Sequence, residues 1–139
     1  MEITANELQN VLENQNIQFT DTVVPGKACT LHRPGSGLVS LKGLTNQCRA
    51  RFKVSFGANI ALPTGGTVEA ISLALAIDGE PIASTNAIVT PAAVEEFFNV
   101  FTAIYLDIPR GCCSQISVRN TSTQPIDVQN ANLIVERVA

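Results

Sequence analysis

Reactive side chains are sparse in this chain of 139 residues, which holds one histidine and four cysteines. His32 stands beside Arg33 and the turn Pro34-Gly35-Ser36-Gly37. To act as a general base it would need a nucleophile and an orienting acid that meet it in space. Serines and cysteines are present, but no G-x-S-x-G phrase or similar local motif places one beside it, so His32 reads as an ordinary strand-end residue. No C-x-x-C or H-x-x-x-H spacing occurs, and the adjacent Cys112 and Cys113 are poorly placed to share one tetrahedral zinc. A disulfide between those neighbours would be strained. The turns Gly35-Ser36-Gly37 and Thr64-Gly65-Gly66 lack the lysine and following helix of a phosphate loop. Asn120-Thr121-Ser122 fits a glycosylation sequon, which matters only in a secreted chain. Glu95-Glu96 reads as a solvated strand entrance. The expectation is a protein without catalysis, cofactor or metal.

Composition agrees with a non-catalytic role. Charged residues make up 15% of the chain, below the ~25% usual for soluble domains, while the 45% hydrophobic content is ordinary. Low charge without a membrane segment implies that other protein covers much of the surface. The length suits one domain that buries its own core. With 9 Lys and Arg against 12 Asp and Glu, general nucleic-acid binding is not expected. The most apolar stretch, Ala70 to Ile77, is far short of the ~20 residues a membrane helix needs. Met1 to Glu7 shows no basic or apolar signal region, so synthesis in a cytoplasm and free buried thiols at Cys29, Cys48, Cys112 and Cys113 are expected.

The charge is segregated along the chain. Residues 1 to 26 carry Glu2, Glu7, Glu13 and Asp21 and no cation. Residues 27 to 53 carry Lys27, Arg33, Lys42, Arg49, Arg51 and Lys53 and no acid. An acidic N-terminal segment beside a basic one can dock within the chain, on a sister subunit or on another protein, unless folding scatters both blocks.

Two periodicities divide the sequence. Thr4 and Glu7 fit a capping box, and Leu8, Val11 and Leu12 follow at helical spacing, which predicts a short helix over 4–15 within an N-terminal arm of residues 1–16. Such a helix is marginal alone and needs a partner surface. From Ile17 onward the period is two. Strands are predicted around Ile17 to Val23, Ala28 to His32, Leu38 to Lys42, Ala50 to Ile60, Glu96 to Ile108, Ser114 to Asn120 and Ile126 to Val138. Val68 to Ile77, Asp78-Gly79 and Pro81 to Val89 read as a hairpin. Residues 17–139 are therefore expected to form an all-β antiparallel sandwich or barrel.

Two predicted strands have no wet face. Ala70, Ser72, Ala74 and Ala76 oppose Ile71, Leu73, Leu75 and Ile77, and Phe97, Asn99, Phe101, Ala103 and Tyr105 oppose Phe98, Val100, Thr102, Ile104, Leu106 and Ile108. An antiparallel strand that is apolar on both faces must be covered twice. The second cover is expected from another copy of the chain, with Ala70, Ala74, Ala76, Phe97, Phe101 and Tyr105 as the interface; a loop or the N-terminal arm folding over that face is the competing possibility.

Three phrases carry a family resemblance: Gln18-Phe19-Thr20-Asp21-Thr22-Val23-Val24-Pro25-Gly26, His32-Arg33-Pro34-Gly35-Ser36-Gly37-Leu38-Val39-Ser40-Leu41-Lys42-Gly43, and Pro109-Arg110-Gly111-Cys112-Cys113-Ser114. They resemble small virion proteins of tailed bacteriophages of Firmicutes, with a jelly-roll body like that of tumour necrosis factor or C1q. The resemblance implies a homotrimer that decorates the outer surface of a phage capsid, contacts the major capsid protein, stabilises the shell and is assembled in the bacterial cytoplasm. An arm anchored by Ile3, Leu8, Val11 and Leu12 would suit that role. A receptor- or glycan-binding knob of a phage fibre is the alternative, disfavoured by the absence of tryptophan and the single tyrosine. Neither reading involves nucleic acid or a membrane.

Overall fold

The strongest alternation in the sequence, Ala50 to Ile60, buries Phe52, Val54, Phe56, Ala58 and Ile60 and leaves Arg51 and Lys53 exposed. In the computed structural model, which describes residues 1–26, 30–43, 49–109 and 111–139, this stretch is β6 (Arg49–Ala61). It lies inside the first sheet, between β10 (Phe98–Pro109) and β12 (Ile126–Arg137). Beyond β12 come β1 (Glu2–Ala5) and β3 (Asp21–Val24), while β2 (Gln9–Val11) pairs with the start of β12. The second sheet runs β4 (Thr30–His32), β5 (Val39–Gly43), β11 (Gly111–Asn120), β7 (Ile71–Ile77) and β8 (Glu80–Pro81), with β9 (Ala87–Val89) also on β7. Every strand pair is antiparallel. The chain is thus an all-β antiparallel sandwich, as the period of two predicts.

The core is the alternate face of both sheets. Phe52, Phe56, Ile60, Leu133 and Val135 from the first sheet meet Leu41, Ile71, Leu73, Leu75 and Val118 from the second, all within 1% of full burial. Asp78 and Gly79 have φ of 50° and 86°, and Ile77 pairs with Glu80. This is the two-residue turn with both central φ positive that Asp-Gly favours, because it matches the twist of the flanking strands. The second arm of that hairpin is interrupted by a 3-10 turn at Ala83–Thr85. The buried Thr85 hydroxyl accepts from Leu75 N at 3.0 Å and donates to the Ile82 carbonyl at 2.7 Å, which satisfies the edge of β7 where no strand lies.

The N-terminal segment corrects the sequence reading. No α-helix occurs among the described residues, and the expected helix over 4–15 is replaced by β1 and β2. Glu2 to Ala5 pair with Ile134 to Ala131, Gln9 to Val11 pair with Val128 to Ile126, and β3 flanks β1 on its other side. The connection onward is also tied down: Ile17 N donates to the Val118 carbonyl at 2.9 Å and Asn120 N to the Gln15 carbonyl at 2.9 Å. A helix of fewer than three turns would bury one narrow strip, whereas this strand buries Ile3, Ala5 and Val11 and completes ladders on both sides. Residues 1–16 are therefore part of the sandwich, not an arm set apart from residues 17–139. We expect Ile3→Ala to lower unfolding stability by about 3 kcal/mol in urea titrations, the cost of a cavity at a fully buried site; a change near zero would place this segment outside the cooperative core.

Candidate interaction surfaces

Strand β10 lies at one margin of the first sheet. Its outward residues Phe101 and Tyr105, and Phe97 just before it, are 68%, 62% and 43% exposed. The neighbouring strand offers no bulky cover. Phe101 is opposite Gly57, which is opposite Asn132, and a Cβ on Gly57 would lie 3.8 Å from the Phe101 ring and 3.1 Å from Asn132 Oδ1. The ring thus borders bare backbone, with no side chain on Gly57 to cover it. One step along the sheet, side-chain amides connect strand to strand. Asn99 Nδ2 donates to Asn59 Oδ1 at 3.2 Å, Asn59 Nδ2 to Asn130 Oδ1 at 3.4 Å, and Asn130 Nδ2 to the Asn6 carbonyl at 3.4 Å. The middle of this face is therefore polar but uncharged.

Charge gathers at one end of the face. Arg51 makes a two-pronged contact with Asp107, Nε to Oδ1 at 2.8 Å and Nη2 to Oδ2 at 3.2 Å. That hydrogen bond, with the attraction of the Asp107 carboxylate, raises the Arg51 guanidinium further above its ordinary pKa. Lys53 lies between Tyr105 and Glu136 in register. Both members of the Arg51–Asp107 pair are well exposed, so the contact orients side chains more than it stabilises the fold.

The opposite margin carries Leu8 and Leu12, 55% and 56% exposed. They bracket Asn10, whose Nδ2 donates to Asp127 Oδ1 at 3.0 Å on the outer side of β12. Half of the residues expected to anchor an arm thus border the same sheet as the exposed aromatics. The other half do not reach the surface: Ile3 and Val11 are core residues, because their parity on β1 and β2 points them between the sheets. Of the expected interface alanines, Ala70 is exposed just before β7, but Ala74 and Ala76 are buried within the chain itself. Arg119 stands opposite Ala74, and its guanidinium reaches the Gly79 carbonyl beyond the end of β7, passing the row of Ala76 and Ser117. The small side chains make room for this arginine stem, so the second cover of β7 comes from the same chain.

The outer face of the second sheet holds a hollow of about 280 Å³ lined by Leu31, Arg33, Ser36, Leu38, Ser40 and Gln115. Register places Leu31, Ser40 and Gln115 in one row across β4, β5 and β11. Leu31 and Leu38 are 60% and 38% exposed. Sequence reasoning did not find this hollow; exposed leucines on short strands look like core residues until the strand parity is known.

His32 sits beside that hollow. Its Nε2 is 3.0 Å from the Ser36 carbonyl, which can only accept, so Nε2 carries the proton and Nδ1 faces the Thr22 hydroxyl at 3.5 Å. At the far end of the sandwich, Asn120 is fully buried. Its Nδ2 donates to the Val11 and Gln124 carbonyls, both at 3.0 Å, and its Oδ1 accepts from Ser122 N at 2.9 Å. Ser122 in turn holds Ser72 through N-to-Oγ and Oγ-to-O bonds of 2.8 and 3.1 Å. The first residue of the Asn120-Thr121-Ser122 sequon is thus a structural amide with no surface. Of the cysteines, Cys29 and Cys48 lie outside the described residues, as do the side chains of Cys112 and Cys113 on β11.

Comparison with known proteins bears on the fold. No family model matches the chain, and no curated protein matches it in sequence. Among solved structures, the globular domain of zebrafish complement 1qA protein is similar with a TM-score of 0.63 at 12% identity, covering 96% of this chain and 93% of that one. The C-terminal domain of EclA, a sugar-binding protein, aligns with a TM-score of 0.44 at 15% identity over 95% of this chain and 79% of that one. A family 35 carbohydrate-binding module from Clostridium thermocellum aligns with a TM-score of 0.35 at 11% identity over 96% and 91%. The first likeness covers nearly the whole of both chains and defines the architecture as a C1q-like jelly roll.

Proposed function

We propose that this jelly roll is a non-catalytic structural protein of a phage virion, a homotrimer that decorates the outer surface of the capsid and stabilises it by bridging major capsid subunits. One observation carries the self-association: on the outer face of the first sheet the rings of Phe97, Phe101 and Tyr105 are left uncovered by the described residues, with Phe101 68% exposed beside Gly57. Exposed aromatic rings grouped along one sheet margin mark an interface. Its two apolar margins, β10 on one side and Leu8 and Leu12 on the other, suit a rotation that closes a ring, because each copy then uses both. The number three and the capsid come from the resemblance of the phrases around Gln18, His32 and Pro109 to phage virion proteins.

With Ile3 and Val11 in the core, a flexible N-terminal tether is not part of the mechanism. Attachment rests instead on the body, whose second sheet faces away from the self-interface. Three such bodies held rigidly together convert weak single contacts into tight binding through effective concentration. The test is to add the purified chain to shells that lack it. Saturable co-sedimentation and a higher shell disruption temperature are expected; shells that neither bind the chain nor gain stability contradict the reading. The exposed Phe101 ring near Asn99 and Asn59, with Tyr105 further along the same strand, also favours a second reading, a glycan-binding knob. Glycan binding by a monomeric chain, lost on Phe101→Ala, would select it.

A further inference from the structure

The hollow on the second sheet combines features that self-association does not use. Two exposed leucines, Leu31 and Leu38, form apolar walls, and the Arg33 guanidinium stands at the rim with no ion pair among the described residues. Ser40 and Gln115 supply hydroxyl and amide groups in the same lining. The strands that form this face are cationic. Arg33 follows β4, Lys42 lies on β5 and Arg119 on β11, and the one carboxylate on the strands of this sheet is Glu80 on β8, at the edge away from β4. Asp78, in the β7–β8 turn, is engaged by the Gln115 backbone, whose N–H it accepts at 2.9 Å.

We propose that this hollow docks an acidic, aliphatic peptide segment of a partner protein, with a carboxylate on Arg33 and an aliphatic side chain between Leu31 and Leu38. Arginine matches a carboxylate with two parallel donors, and an apolar wall on either side lowers the local dielectric and strengthens that bond. A polyanionic polysaccharide fits less well. It needs an array of cations along its length, whereas one guanidinium lines the hollow and Lys42 and Arg119 lie outside the lining. A second copy of this chain offers such pairs in its exposed Glu7-Leu8 and Leu12-Glu13, which border the face assigned to self-association. The inference does not depend on the partner being a capsid.

The test is fluorescence anisotropy of the full chain with a labelled peptide alternating leucine and glutamate, against the same peptide with lysine for glutamate and against polygalacturonate. The acidic peptide is expected to bind at least about tenfold more tightly than the basic one and to weaken with salt. Arg33→Gln and Leu31→Ser should each weaken it about tenfold, and Lys42→Gln less than about twofold. Both substituted side chains are solvent-exposed or at the rim, and unchanged circular dichroism confirms that the variants fold. Equal binding of acidic and basic peptides overturns the proposal, as does binding insensitive to both Arg33→Gln and Leu31→Ser. Tight polygalacturonate binding that displaces the peptide selects a polysaccharide and overturns it too. Concentration-dependent self-association lost in both Arg33→Gln and Glu13→Lys selects a second copy and does the same.

Discussion

Replacing Phe101 and Tyr105 together with aspartate leaves a folded chain that sediments at its single-chain mass of 14.8 kDa. Within one chain these rings are 68% and 62% exposed, so the substitution removes little intrachain burial and thermal unfolding should shift by no more than about 1 kcal/mol in stability. At an interface the effect is much larger. Each aromatic ring buried there contributes on the order of 2 kcal/mol, and a carboxylate in its place must be desolvated without a partner. The two rings together amount to about 4 kcal/mol, or about a thousandfold in association, before the desolvation cost is added. A double variant that keeps the mass of the unmodified protein would move the self-interface elsewhere on the molecule.

Asn120→Ala is the substitution with the largest expected effect on folding. The carboxamide at the end of β11 holds the Val11 carbonyl of β2, the Gln124 carbonyl and the Ser122 N–H, and it is fully buried. Removing it takes the side-chain partner from two buried backbone groups and from the part-buried Gln124 carbonyl, each buried one costing about 1–3 kcal/mol. A loss of about 4 kcal/mol is expected, read as a lower urea midpoint with an unchanged slope. Asn120→Asp should be no better, since a carboxylate keeps the bond from Ser122 N but donates to neither carbonyl and buries a charge. A midpoint shift worth less than about 1 kcal/mol would mean that water replaces the amide at this site.

What the sequence disclosed follows from which signals are local. The alternation of Phe52, Val54 and Phe56 and the Asp78-Gly79 turn depend on nearest neighbours, and both strand and turn stand where the pattern puts them. The capping-box pattern at Thr4 and Glu7 is equally local, yet it loses to ladders with β12 and β3. Those partners are more than a hundred residues away for β12, so no local window contains them. The two doubly apolar strands illustrate the same limit. β10 sits at a sheet margin and keeps its aromatic face bare, while β7 sits inside a sheet and receives the side chain of Arg119. Composition alone does not separate these cases, because the distinction lies in strand order. The hollow at Leu31, Arg33 and Leu38 was illegible for a related reason: its walls come from the flanks of β4 and β5, and their pairing fixes which leucines face outward. The charge blocks do not survive as blocks in space. Arg33 follows β4 and Lys42 lies on β5 in the second sheet, but Arg49, Arg51 and Lys53 of the basic segment lie on β6 in the same sheet as Glu2 and Asp21, so folding divides the basic block between the two sheets.

The outer face of the first sheet as a self-interface is the claim on which the rest turns, and the mass of the unmodified full chain in solution tests it most directly. Light scattering across a range of concentrations should give about three times 14.8 kDa, unchanged on dilution to the micromolar range. A mass of 14.8 kDa at every concentration would contradict the account and leave Phe101 and Tyr105 as a surface for some other molecule.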